Sequence, residues 1–205
     1  MASPRTMQLA DRADWALMIA IHDALRRDLD QLLHATASHA SARARWGAFR
    51  SQLRFHLAAE HAAMWPRVRP KLAGHPHGQA LLDAMDDERQ LLGPLQAMID
   101  DAFTIDADPT RLRQLLARLA SHLAHEEADA LPLISQILSP GELGGIAAAI
   151  RGGRSIRRAG TTLPWALAGA SPDIREHGLS QLPAPARLLY RTIWLPRHAR
   201  TTPAL

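Results

Sequence analysis

Cysteine is absent from the 205 residues, which excludes disulfides, thiolate catalysis and any iron–sulfur or Cys-ligated zinc site. Any metal this chain holds must therefore sit on His, Asp and Glu. Aromatic residues make up only 4%, and lysine occurs once, as Lys71, so arginine carries the net charge of +4. That excess is modest for a nucleic-acid binder, and neither aromatic interleaving nor a long basic stripe accompanies it. No apolar run approaches the roughly 18 residues of a membrane span. Met1 to Arg12 shows no basic stretch followed by an apolar core. The expectation is a cytoplasmic protein with neither membrane nor nucleic acid as partner. Glycine is sparse, at 12, and β-branched runs are few, while the hydrophobic fraction is 47%. That composition points to a largely helical chain.

The most informative feature occurs twice. His56-Leu57-Ala58-Ala59-Glu60, followed by Pro66, is repeated as His122-Leu123-Ala124-His125-Glu126, followed by Pro132. Both copies lie in Ala- and Leu-rich sequence that favours helix. Residues four apart share a helix face, so each copy can offer an imidazole and a carboxylate to one point in space.

Four amphipathic segments are expected. The first, Asp11 to Ser38, carries Met18, His22, Leu25, Leu29 and Leu32 on one stripe. Ser41 to Trp65 carries Phe49, Leu53, His56, Glu60 and Met64, and Pro66 and Pro70 are expected to end it, with a loop at Gly74 to Gly78. Gln79 to Phe103 carries Leu81, Met85, Glu88, Leu92, Leu95 and Ile99, with Pro94 as a potential kink. A turn with Asp108 as N-cap and Pro109 at the first helical position opens the fourth, which carries Leu112, Leu115, Leu119, His122 and Glu126 and runs at least to Leu131.

Four such segments with short connections make an all-α, up-down-up-down four-helix bundle over residues 11–138. Residues 139–205 have too few apolar side chains for a core of their own and read as a C-terminal helical extension packed on the bundle. Within it, Glu142 to Ile150 reads as a short helix and Arg151 to Arg158 as a loop. Pro183 to Trp194 reads as an amphipathic helix with Leu188, Leu189, Ile193 and Trp194 buried and Arg187 and Arg191 exposed.

The polar interruptions of the four stripes carry the chemistry. A lone buried His is ordinarily a hydrogen-bonded core residue. Glu60, Glu88 and Glu126 on core stripes are another matter, because glutamate is rarely buried without a partner. Three carboxylates and three imidazoles at one level would be costly without a counter-charge, and cations remove that cost. Candidate metal ligands are therefore His22, His56, Glu60, Glu88, His122 and Glu126, with Glu127 as the alternative to Glu126. Nitrogen and oxygen donors without sulfur suit iron or manganese. Six ligands exceed the need of one tetrahedral zinc, so a two-metal site fits better. His61 and His125, next to the ligands but off the stripe, are candidates for supporting or proton-carrying roles. His34, His39, His75, His77, His177 and His198 read as loop or surface residues.

On these residues the chain resembles the haemerythrin-like (HHE cation-binding) family, whose hallmark is a first-helix His followed by two His-x-x-x-Glu segments ending in Pro. Here these are His22 within Ile21-His22-Asp23, His56 with Glu60, and His122 with Glu126-Glu127, over about Asp14 to Leu138. The Leu-Pro-Trp and Trp-Leu-Pro-Arg segments also resemble C-terminal extensions of some members. The resemblance implies a four-helix bundle with a non-haem di-iron centre, the two ions oxo- or hydroxo-bridged. The chain departs from the pattern in the third helix. Where oxygen-carrying members have two histidines, this sequence has Ala84 and Glu88. A carboxylate-richer iron pair tends toward oxygen or peroxide activation. The expected function is reaction with, or sensing of, dioxygen, hydrogen peroxide or a related oxidant, with catalase- or peroxidase-like turnover as its enzymatic form. Reversible oxygen binding, and an iron-responsive interaction module meeting a protein partner through the extension, are the alternatives.

Overall fold

A computed structural model of the chain describes residues 15–34, 39–102, 109–152 and 156–201. Those residues are helical and contain no strand. In chain order the helices are α1 (Ala16–His34), α2 (His39–Ala63), α3 (Trp65–Lys71), α4 (Pro76–Ala102), α5 (Pro109–His125), α6 (Leu131–Ile137), α7 (Pro140–Gly152), α8 (Ile156–Ala168), α9 (Pro172–Ser180), α10 (Ala184–Leu189) and α11 (Leu195–Thr201). Two π-helical turns, Glu126–Ala130 and Tyr190–Trp194, join α5 to α6 and α10 to α11. None of these helices is long and apolar enough to cross a membrane.

The centre of the molecule is α1. Its expected stripe, Met18, His22, Leu25, Leu29 and Leu32, is buried, and so are Ile19, Ala20, Ile21 and Ala24 on other faces. A helix apolar nearly all round must be covered on more than one side. One side meets α2 and α5, and another meets α8 and α9 from the extension. Each fully buried leucine of this helix, such as Leu25, contributes roughly 1.5–3 kcal/mol relative to exposure. The apolar core is continuous, running from Trp15 through Leu138 to Tyr190 and Trp194.

Polar contacts fix the relative placement of the helices. Asp100, near the end of α4, accepts from Trp46 Nε1 at 2.7 Å and from Arg50, both in the first half of α2. Trp15 Nε1, just before α1, donates to Ser135 Oγ of α6 at 2.7 Å. The extension is tied to α1 by Arg27, whose Nη2 donates to the Trp165 carbonyl, and by Trp165 Nε1, which donates to Asp28 Oδ2 at 2.8 Å. Burial raises the Asp28 carboxyl above its usual range despite that hydrogen bond. Gly160 of α8 lets the Trp194 indole lie against its backbone, since an added Cβ would stand 2.9 Å from Nε1.

Several boundaries differ from those expected of the sequence. Pro66 and Pro70 do not end the helical course. Met64 interrupts it, and α3 then runs through both prolines, Pro66 lying in its first turn where no N–H is needed. The loop is only 72–75, turned by Gly74 at φ +86°, and Pro76 opens α4 rather than sitting in the loop. Helix α4 continues through Pro94 and buries Leu82, while Leu81 is half-buried. Asp108 and the side chains of Leu112, Leu115, His34 and His39 lie outside the described residues. The span expected as a loop after Ile150 instead lets α7 reach Gly152 and α8 begin at Ile156.

In the last helical stretch Trp194 is buried as expected, but Leu188 is 63% and Ile193 38% exposed, and Tyr190 turns inward instead. Helical spacing accounts for two of these, since Tyr190 lies four residues before Trp194 on the same face while Leu188 lies about 120° away from it. The π-turn, in which the Leu195 N–H reaches back five residues to the Tyr190 carbonyl, rotates Ile193 outward.

Candidate metal centre

Four donor side chains meet inside the helices. His22 of α1, His56 and Glu60 of α2, and Glu126 of the first π-turn are all buried, with one ligand atom of each within 4.8 Å of the others. The Nε2 atoms of His22 and His56 are 3.0 Å apart. Glu126 Oε2 stands 3.6 Å from the first and 4.0 Å from the second. Glu60 Oε1 is 2.7 Å from His56 Nε2, yet not in a hydrogen-bonding direction.

The electrostatics of the group are unfavourable as it stands. Among the described residues, Glu60 Oε1 and both oxygens of Glu126 are buried without a hydrogen-bond partner other than each other's carboxyl. Burial pushes both carboxyls up to about 7, and the neighbouring Glu60 adds to the rise at Glu126. Buried, unsatisfied carboxylate oxygens are costly. Separations of 2.7 to 4.0 Å are those between donors sharing a coordination sphere of radius about 2.1 Å. The donor set thus fits a nitrogen- and oxygen-preferring cation such as iron.

The surroundings orient the donors. His22 Nδ1 donates to Glu127 Oε1 at 2.9 Å, and the same oxygen accepts from Arg26 Nη1 at 2.6 Å. With the proton held on Nδ1, the neutral ring of His22 presents a lone pair at Nε2, toward His56 and Glu126. Burial alone would raise the Glu127 carboxyl, but the hydrogen bonds from His22 and Arg26 together outweigh it and hold it below the usual range. Glu126 and Glu127 therefore divide the work. The first enters the donor group, as the repeat leads one to expect, and the second fixes the tautomer of His22.

The remaining two expected ligands pair with each other. His122 Nδ1 donates to Glu88 Oε2 at 2.8 Å, and His125 Nδ1 to Glu88 Oε1 at 2.7 Å. Glu88 is thus clasped by two imidazoles from one helix and stands outside the four-donor group. His122 is buried, and burial lowers its pKa against the pull of Glu88. His61 is exposed. Sequence reasoning missed Arg26 and Arg89. Arg26 lies four residues after His22, a spacing that could have pointed to it. Arg89 favours the ionised form of Glu60 from α4, and nothing in the stripe pattern marks it.

The π-turn is part of this construction. Pro132 has no N–H to give to the carbonyl four residues back, and its ring crowds that position. The chain widens instead, and the Leu131 N–H bonds to the Glu126 carbonyl, five residues back. Successive residues on such a turn are less far apart around the axis than on an α-helix, which lets Glu126 and Glu127 both face α1.

Among known proteins, no curated protein and no solved structure matches the chain. A family model does match, that of the hemerythrin HHE cation binding domain, over residues 14–134. This stretch contains every one of the donors described above, and the chain belongs to that family.

Proposed function

We propose that the chain is a non-haem di-iron protein of the cytoplasm that reacts with or senses dioxygen, hydrogen peroxide or a related small oxidant. The observation that carries this reading is the pair of buried carboxylates, three of whose oxygens have no hydrogen-bond partner outside the pair among the described residues, set beside two imidazole nitrogens. His22, His56, Glu60 and Glu126 would hold the metal, with His122 joining them through the ring nitrogen that Glu88 leaves free. Glu88 orients His122 and His125, and its remaining lone pairs are its second means of serving as ligand. Iron bound there would supply electron exchange with the oxidant. The protein's own part is to fix the histidine tautomers through Glu127 and Glu88, to neutralise charge and to keep the site dry.

In the same proposal α1, α2, α4 and α5 with its continuation form an up-down-up-down bundle. Supporting it are the pairing of the first half of α2 with the α4 end through Asp100, and of Trp15 with Ser135. Elemental analysis of purified protein is the first test, and about two irons per chain is the expected result. Iron-loaded protein should then consume added peroxide, and Glu60→Ala should not. Protein purified free of iron, and unable to take it up, overturns the reading. A stable, reversible oxygen spectrum without turnover would make the protein a carrier.

A second reading, an iron-responsive interaction module, is favoured by one specific observation. Helix α1 bears His22 on one side and packs on α8 and α9 of the extension on another. Metal-dependent folding without peroxide consumption would favour it.

A further inference from the structure

Among the described residues six large apolar side chains stand open to solvent, and five of them fall on two surfaces of opposite charge. The first surface is the outer side of α4. Asp87, Leu91, Pro94, Met98 and Asp101 are all exposed and recur at steps of four and three, the spacing of a helix-packing seam. Leu91 is 62% and Met98 40% exposed. Of the helix's six carboxylates, Asp83 and Asp86 pair with Arg69, Asp86 also with Arg89, Asp100 with Arg50 and Glu88 with two histidines, while Asp87 and Asp101 flank the exposed stripe.

The second surface is the C-terminal part of the extension. After Glu176 the chain contains no acidic residue, but four arginines, 187, 191, 197 and 200. Helices α9 and α10 are joined by only three residues, yet they do not close on each other. Helix α9 packs on α1, and the stretch that follows α10 packs on α8. Between them lies a groove of about 730 Å³ with Leu179, Leu188 and Ala184 along it and Arg175, Arg187 and Arg191 beside them. Glu176 is the single carboxylate there. Arg175 is committed to the carbonyls of Leu167, Ala168 and Ala170. Arg187 and Arg191 make no ion pair among the described residues.

We propose that two copies of this chain form a two-fold dimer in which the outer stripe of α4 from each lies in the α9/α10 groove of the other. Leu91 and Met98 meet Leu179 and Leu188, and Asp87 faces Arg187 and Arg191. Within one chain α4 packs on α5 and the extension packs on α1, and Leu91 and Leu188 both stay open. A two-fold axis lets each surface be used once per copy and closes the assembly. The groove is concave, with Leu179 half-buried and Leu188 largely exposed along it, a shape that suits a helix as occupant over a flat bilayer. Arginine suits the carboxylate partner, because its planar fork pairs bidentately.

The test is sedimentation of the full-length protein at about 0.1 mM, with salt at about 0.05 M and about 0.5 M. Wild type should be a dimer that weakens with salt. Arg187→Glu/Arg191→Glu and Asp87→Arg should each sediment as a monomer, with dissociation constants raised about a hundredfold. Circular dichroism like that of wild type shows that each variant is folded. Mixing the two monomeric variants should restore a heterodimer, since one half-interface is then native and the other has both charges reversed. Should either variant misfold, Leu188→Ser in the wild-type background replaces it, with the same expected loss of dimer. A wild-type monomer, a dimer indifferent to these substitutions, or a mixture of folded variants that stays monomeric overturns the proposal. So does a monomer that instead binds phosphatidylglycerol vesicles through Arg187 and Arg191.

Discussion

The two copies of the repeat, His56 to Pro66 and His122 to Pro132, match in spacing and differ in what they build. In the first, His56 and Glu60 both enter the donor group from an uninterrupted α-helix. In the second, Glu126 enters it from the first position of a π-turn, while His122 is turned to Glu88 through Nδ1. The two prolines are handled differently as well. Ahead of Pro66 the helix lapses at Met64, and the Arg67 guanidinium donates to the Ala63 carbonyl. Ahead of Pro132 the helix widens without a lapse. The difference lies in the residues between. The first copy has Ala62 and Ala63 where the second has Ala128 and Asp129, and His61 where the second has Glu127. Only the second copy has a further carboxylate to place, and the π-turn places it on His22. One segment supplies ligands, and the other supplies a ligand together with the groups that aim its neighbours.

Breaking the first copy should have the largest effect. Glu60→Ala removes one of the two carboxylates of the donor group, and iron content should fall by at least half, read by elemental analysis. Unchanged iron content would show that the four-donor group is not the site. Without metal, the two carboxyls near 7 dominate the stability profile. Their folded pKa lies above the unfolded value near 4.5, so between these values the folded state binds more protons than the unfolded one. Apo-protein should therefore lose stability as pH rises from about 4.5 to about 7, by up to ~3 kcal/mol per group. Below that window the penalty is absent. Bound cation favours the ionised forms, so loaded protein should show no such decline. Denaturant melts with and without metal across the window test this, and parallel profiles would refute it.

The second copy should respond more gently. Glu127→Gln keeps a hydrogen-bond acceptor for His22 but removes the charge that fixes the ring. Metal affinity should drop by roughly 10- to 100-fold without loss of the site. Competition with a chelator measures this, and an effect as large as that of Glu60→Ala would mean that Glu127 is itself a ligand.

The four buried donors are legible in the sequence because a carboxylate and an imidazole on one apolar stripe, repeated at the same spacing, are costly to bury unless a cation joins them. The stripe of α1 is legible too, but not the burial of its other sides, since Ile21 and Ala24 are uninformative until α8 and α9 lie against them. The π-turns are not readable at all. Hydrophobic period is averaged over several turns, and one wider turn shifts the phase by less than the scatter of a natural stripe. Its consequence is local, as at Ile193, which lies within the second π-turn and is turned to solvent. Glu88 shows the complementary limit. Its position on a core stripe suffices to place it near His122, but partner choice among carboxylates and imidazoles a few ångströms apart is decided by side-chain geometry that periodicity does not carry.

The smallest effect concerns the prolines themselves. If proline alone forced each irregularity, replacing it should let an ordinary α-helix re-form in both copies. Pro66→Ala should do so, because nothing else in the first copy requires the lapse at Met64, and the restored N–H can bond to the Ala62 carbonyl. The expected gain is below about 1 kcal/mol, since proline already sits in a first turn where it is tolerated. Pro132→Ala should gain nothing. Closing that turn to α geometry would rotate Glu127 away from His22 and Arg26, and those charge-assisted hydrogen bonds are worth more than one helical bond. The pair of melting temperatures decides the matter. Equal stabilisation of both variants would assign the π-turn to proline and leave Glu127 a passenger. A gain confined to Pro66→Ala would mean that the donor group holds its own helix out of α geometry.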